Sequence, residues 1–168
     1  MRSLFFILSL LMLSAAAFAE DISRNPKVTL AHEELFLAFV ESDPEIVLNE
    51  YIRKNDTLDN WKVLFAVRYV RTAKSVDEVV QRWKAYIEQI RSLGKKFQED
   101  DESNANDWRF TVSIRPIGDT YLENDQLRFI PGPNGKGVIY YQAAIRVNPT
   151  DQRDIMQERR KQMALPTL

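Results

Sequence analysis

In one stretch of this chain the apolar residues recur at the helical interval, whereas its other patterned stretches repeat at two. That change of period constrains the fold more than any other feature. Val76, Val79, Val80, Trp83, Ile87 and Ile90 form one apolar stripe over residues 75–92. Ser75 and Glu78 match a capping box, in which each side chain satisfies a backbone N–H at the helix start. Asp77 and Glu78 stand where the helix dipole favours acid, and Arg91 where it favours base. Gly94 supplies a residue suited to the left-handed conformation just past the end. Trp83 is the largest side chain of the stripe and is expected to anchor it on a sheet.

Around this helix the period is two. Trp108, Phe110, Val112 and Ile114 point one way, and Arg109, Thr111, Ser113 and Arg115 the other, which describes a strand with one buried and one wetter face. Trp61, Val63, Phe65, Val67 and Tyr69 are expected to share one side of an earlier strand, with Leu64 and Ala66 among the charged residues of the other. The run Leu35–Val40 favours a strand through its aromatic and branched content, over a short helix opened by Glu33 and Glu34. Ser42-Asp43-Pro44 is a turn. Residues 46–53, 121–130 and 138–147 read as further strands. Residues 131–137, with Asn134-Gly135, read as a hairpin connection. Residues 98–107 are polar and acidic without periodicity and read as a loop. Residues 150–163 read as a closing helix with few apolar anchors, followed by a tail. The sum is α+β, an antiparallel sheet covered by helices.

Residues 1–19 carry the pattern of an export signal. Arg2 gives the positive start, Leu4–Leu13 the apolar run, and Ala17-Phe18-Ala19 a small-x-small cleavage site. The run is shorter than the ~20 apolar residues a membrane span needs. Residues 20–168 then form a single domain on length, with 20–32 expected as a mobile leader. The chain has no cysteine, so disulfides and a lipobox are excluded and no lipid anchor is expected. The expected location is the periplasm of a Gram-negative cell, or secretion beyond it. The formal net charge of −1, with both signs mixed along the chain, gives no electrostatic case for nucleic acid or an anionic membrane.

Several chemistries lack their residues. Without cysteine there is no thiolate, and His32 is the only histidine. His32-Glu33-Glu34-Leu35-Phe36 lacks the second histidine of a zinc-protease helix, so His32 is expected as a surface or capping residue. No Gly-x-Ser-x-Gly elbow occurs. A calcium loop of EF-hand type starting at Asp100 would need Gly and Glu where Ala105 and Thr111 stand, so residues 99–107 are expected as a solvated loop. Gly135-Lys136-Gly137 precedes a strand rather than a helix, which excludes a phosphate loop. No cofactor and no metal site is expected.

The surface singled out for partner contact is the polar strand face. Arg109 and Arg115 lie on it, and Arg146 shares a face with Tyr140 and Gln142 on the last strand. If the two faces coincide, they form a basic, partly aromatic surface for an acidic peptide or carboxylate. Otherwise these residues belong to a wetted sheet face.

Residues 48–61, followed by the strand over 62–69 and the helix from Ser75, resemble part of the PsbP-like superfamily. The matching residues are Glu50, Tyr51, Thr57, Leu58 and Trp61. The resemblance implies an α/β/α sandwich and a binding or assembly role. Its members include an extrinsic photosystem subunit, a Ran-binding factor and chaperones of secretion effectors. No site residue carries over from it. The expected function is therefore an exported, non-catalytic domain that binds a protein or peptide, as an assembly factor or an immunity-type protein of the cell envelope. The alternatives are a hydrolase using paired carboxylates and a structural subunit of an envelope complex.

Overall fold

The computed structural model describes residues 25–92, 96–101, 108–115 and 121–148. The expected signal peptide, the closing helix and tail over 150–168, and residues 102–107 of the acidic segment lie outside the described residues.

The described chain forms two meanders of four strands each. The first comprises β1 (Lys27–Leu30), β2 (Glu33–Ser42), β3 (Ile46–Ile52) and β4 (Val63–Val70). After helix α1 (Val76–Ser92), the second comprises β5 (Lys96–Asp101), β6 (Trp108–Arg115), β7 (Leu122–Pro131) and β8 (Val138–Val147). They make one sheet in the order β1-β2-β3-β4-β8-β7-β6-β5. All neighbours are antiparallel, and among the described strands the meanders are joined by the pairing of β4 with β8, from Val63↔Ile145 to Val70↔Val138. The α+β class expected from the sequence is therefore observed, as a largely antiparallel sheet with one described helix.

The helix start departs in one bond from the expected capping box. The Glu78 N–H donates to Ser75 Oγ (3.2 Å), but the Glu78 carboxylate accepts from the Lys74 N–H (2.8 Å) rather than that of Ser75. That bond is the largest cause holding the Glu78 carboxyl below its ordinary pKa. Val76, Val79, Val80 and Ile87 are buried against Val112, Leu127, Phe129 and Val138 of the sheet. The helix thus covers the part of one face built from β6, β7 and β8.

Three expectations are corrected. Part of the expected leader is ordered: Lys27–Leu30 pairs with β2 through a turn in which Ala31 and His32 both have positive φ (47° and 69°). Val28 and Leu30 alternate with Lys27 and Thr29, and Leu30 is buried, but the run is only four residues long. Residues 96–101, partly assigned to the acidic loop, form edge strand β5 against β6. Charge is tolerated on an edge and discourages pairing with other chains, so periodicity was no guide there. Trp61 precedes β4 and lies on the opposite side from Val63 and Phe65, packing with Ile52, Leu64, Ala66 and Ala144.

The face away from the helix carries its own core of Leu30, Leu35, Tyr51, Val63, Phe65, Val67, Tyr141, Ala143, Ile145 and Val147. The central strands are thus buried on both faces, as the mixed pattern of β4 implies. The β7–β8 hairpin turns through Pro133–Gly135 with Asn134 at φ 55°. Gly137 (φ +66°) lies against Tyr69 so closely that a Cβ there would sit 2.6 Å from the ring and 2.6 Å from the Val70 carbonyl oxygen.

Candidate functional site

The four residues singled out in the sequence do not form one surface. Tyr141 pairs with Arg128, and Arg128 with Arg109, so Arg109 stands on the face away from the helix. Tyr140 and Arg146 alternate with Tyr141 and face the helix side. The side chain of Arg115 lies outside the described residues. Nor is Arg146 available as a loose cation: its Nε donates to Glu123 Oε2 (3.0 Å), and its guanidinium stacks 3.8 Å from the Trp61 ring and 4.5 Å from that of Tyr121. Tyr140 is stacked on Phe129 (5.1 Å) and lies under the Arg68 guanidinium (5.4 Å). Burial pushes its phenol above the ordinary pKa, so it remains neutral near pH 7.

What the strand order does bring together is a polar line across four strands of the helix-side face. In-phase positions on β3, β4, β8 and β7 hold Glu50, Arg68, Gln142 and Asp125. Arg68 Nη2 pairs with Glu50 Oε1 (3.2 Å), and Arg68 Nη1 donates to Gln142 Oε1 (2.5 Å). Gln142 Nε2 donates in turn to Asp125 Oδ1 (2.8 Å). The amide is fixed in orientation, because its oxygen faces a cation and its nitrogen a carboxylate.

Asp125 is the electrostatic centre of this line. Its side chain is almost entirely out of water, at 1% exposure. Burial, and then the negative charge of Glu123, raise its pKa to about 7; the Gln142 hydrogen bond, Arg68 and Arg146 act in the opposite direction. A carboxyl group half-protonated near neutrality inside a cavity is a mark of functional sites.

Two cavities open onto the line and share Arg68 and Gln142. The larger, about 550 Å³, lies between α1 and the sheet; its walls include Trp83, Tyr86 and Arg82 of the helix and Asp43 and Glu45 of the β2–β3 turn. Glu123, Asp125 and Tyr140 also line it. The smaller, about 360 Å³, is bounded by Phe39, Glu50, Leu58, Trp61 and Leu64. Together they make a groove running from the helix to β2. Four large hydrophobic residues are exposed among the described ones, and three of them rim this groove: Phe39, Leu58 and Tyr86. No cluster of three potential metal ligands occurs among the described residues.

The sequence pattern points to Tyr140 and Arg146 as contact residues, but not to Glu50, Arg68, Glu123 or Asp125. A signal was there. Asp125 is in phase with Leu127 and Phe129, so a core-facing position of an apolar strand carries a charge, which is costly unless it is used.

A family model matches residues 23–165, a span that contains every described strand, the helix and the whole groove. The chain belongs to this uncharacterised family. No curated protein matches the chain, and no solved structure does.

Proposed function

We propose that this protein is an exported, non-catalytic binding domain that holds a peptide or a segment of a partner protein in the groove between α1 and β2. The observation that carries this reading is the position of Phe39, Leu58 and Tyr86, exposed apolar side chains at the edges of two connected cavities with a charged floor. Apolar anchors around a polar centre are what a peptide groove offers, since aromatic rims supply area and the floor supplies orientation. The resemblance of residues 48–61 to the PsbP-like superfamily, whose members bind and assemble other proteins, supports the same role. On this reading the export pattern over residues 1–19 directs the domain to the periplasm or beyond it.

The test is site-specific photocrosslinking in cells. A photoreactive phenylalanine at Phe39 or Tyr86 is expected to give a defined adduct, and the same group at Arg109, on the opposite face, is not. Equal adducts at all three positions, or none at Phe39 and Tyr86, would refute the groove.

A hydrolase is the second reading, favoured by one observation. Asp125 and Glu123 are two residues apart on one strand face, ~7 Å by strand rise, and carboxyl groups ~6.5–9.5 Å apart can serve as general acid and as general base for a water. Both carboxylates, however, are held by Gln142 and Arg146. Release of soluble fragments from dye-labelled peptidoglycan, abolished by Asp125→Ala, would establish this reading over the first.

A further inference from the structure

Resting on the groove reading, we infer that the larger cavity receives the cationic side chain of a lysine or arginine in the bound peptide, with Asp125 as its counter-charge. Charge balance points to the class. Both arginines of this cavity are already matched within the protein, Arg68 by Glu50 and Gln142, and Arg82 by Glu78 at 2.5 Å. Of the carboxylates, Glu123 is matched by Arg146, and Asp43 is engaged by the N–H groups of Glu45 and Ile46. Glu45 has no ion pair among the described residues, and Asp125 accepts only a neutral amide hydrogen bond from Gln142. The charge left unmatched at the cavity is therefore negative.

The walls suit the same guest. Trp83 and Tyr86 meet edge to face (5.9 Å) beside the opening, and their ring faces attract cations. The methylene stem of lysine or arginine can lie along these rings while its charged end reaches the floor. A buried carboxylate that lacks a charged partner is costly, so a guest cation gains from relieving it. An anionic guest would instead face Glu45, Glu123 and Asp125.

Binding is then linked to pH. The charged groups around Asp125 are Glu123 on its own strand, Arg146 and the neutral Gln142 on β8, and Arg68 on β4; β6 presents apolar Val112 beside it. Arg82 from the helix and Asp43 and Glu45 from the turn line the same cavity. Asp125 gains its charge as pH rises through about 7, so affinity for a cation rises between pH 5.5 and 8.

The probes are three capped tripeptides, Ala-Lys-Ala, Ala-Arg-Ala and Ala-Gln-Ala, titrated into the isotopically labelled full chain and followed by NMR at the Trp83 indole and the Gln142 side-chain amide. The cationic tripeptides are expected to give saturable shifts at both groups. They should bind at least about five-fold more tightly than Ala-Gln-Ala, and about ten-fold more tightly at pH 8 than at pH 5.5. Asp125→Asn keeps the shape and should flatten the pH profile at the lower affinity. Equal binding of Ala-Gln-Ala, a pH profile unchanged in Asp125→Asn, or no shift at Trp83 and Gln142 would overturn the inference. If the adducts at Phe39 and Tyr86 form all the same, the groove stands and only the cation is wrong; if they too are absent, both readings fall.

Discussion

Replacing Asp125 by asparagine is expected to stabilise this protein, by an amount that grows from nothing at about pH 4 to its full value above about pH 7. In the folded chain the Asp125 carboxyl titrates at about 7, against an ordinary value of 3.8, with burial as the main cause. An acid raised in this way adds stability that is complete below about pH 4 and is lost as pH rises through about 7. The two values are about three pH units apart, and each unit corresponds to about 1.4 kcal/mol. The ceiling is therefore ~4 kcal/mol, and relaxation around the buried group lowers it towards ~2 kcal/mol. Asparagine retains an acceptor for the Gln142 amide and removes the charge. Denaturant unfolding of both proteins at pH 4, 5, 6, 7 and 8 checks this. The variant should match the wild type at pH 4 and exceed it by ~2–4 kcal/mol at pH 8. Taking the difference between the two cancels titrations common to both. A difference that is flat with pH, or a variant less stable at pH 8, would refute the placement of a buried charge at the centre of the groove.

Three other substitutions probe the frame. His32→Gly relieves a left-handed turn residue worth ~1–2 kcal/mol but adds ~0.5–1 kcal/mol of unfolded-chain entropy, so a net gain of ~0.5–1 kcal/mol is expected in a denaturant melt. Gly137→Ala should cost ~3 kcal/mol by the same assay, because the new methyl meets Tyr69 and the Val70 carbonyl in a backbone conformation alanine avoids. Trp83→Ala removes a partly buried ring that packs on the sheet core; a loss of ~3 kcal/mol is expected, and a loss below ~1 kcal/mol would show that the ring is not core.

The helix was legible because its stripe, its cap and its stop signal all agree, and β6, β7 and β8 because their alternation or turn chemistry does. β1 and β5 were not legible. Both sit at the sheet edges: Lys27–Leu30 alternates but is only four residues long, and Lys96–Asp101 is charged, which an edge strand tolerates because it pairs with one neighbour. Trp61 was placed on the wrong side because period two was extended past the start of β4, into a segment that is not strand. The groove was hidden for a different reason. Phase along single strands showed that Tyr140 and Arg146 share a side, but not that strand order carries Arg109 to the other face. The line Glu50–Arg68–Gln142–Asp125 depends on β8 lying between β4 and β7, a long-range pairing that no local pattern encodes.

That insertion of the last strand beside the fourth has a thermodynamic consequence. Arg68 belongs to one half of the sheet, Gln142 and Asp125 to the other, and among the described strands the halves are joined by one ladder, β4 against β8, beside the apolar cores they share. A guest reaching from Arg68 to Asp125 grips both sides of that join. It therefore opposes their separation by RT ln(1 + [L]/Kd), and filling the groove tightens the whole molecule along one line.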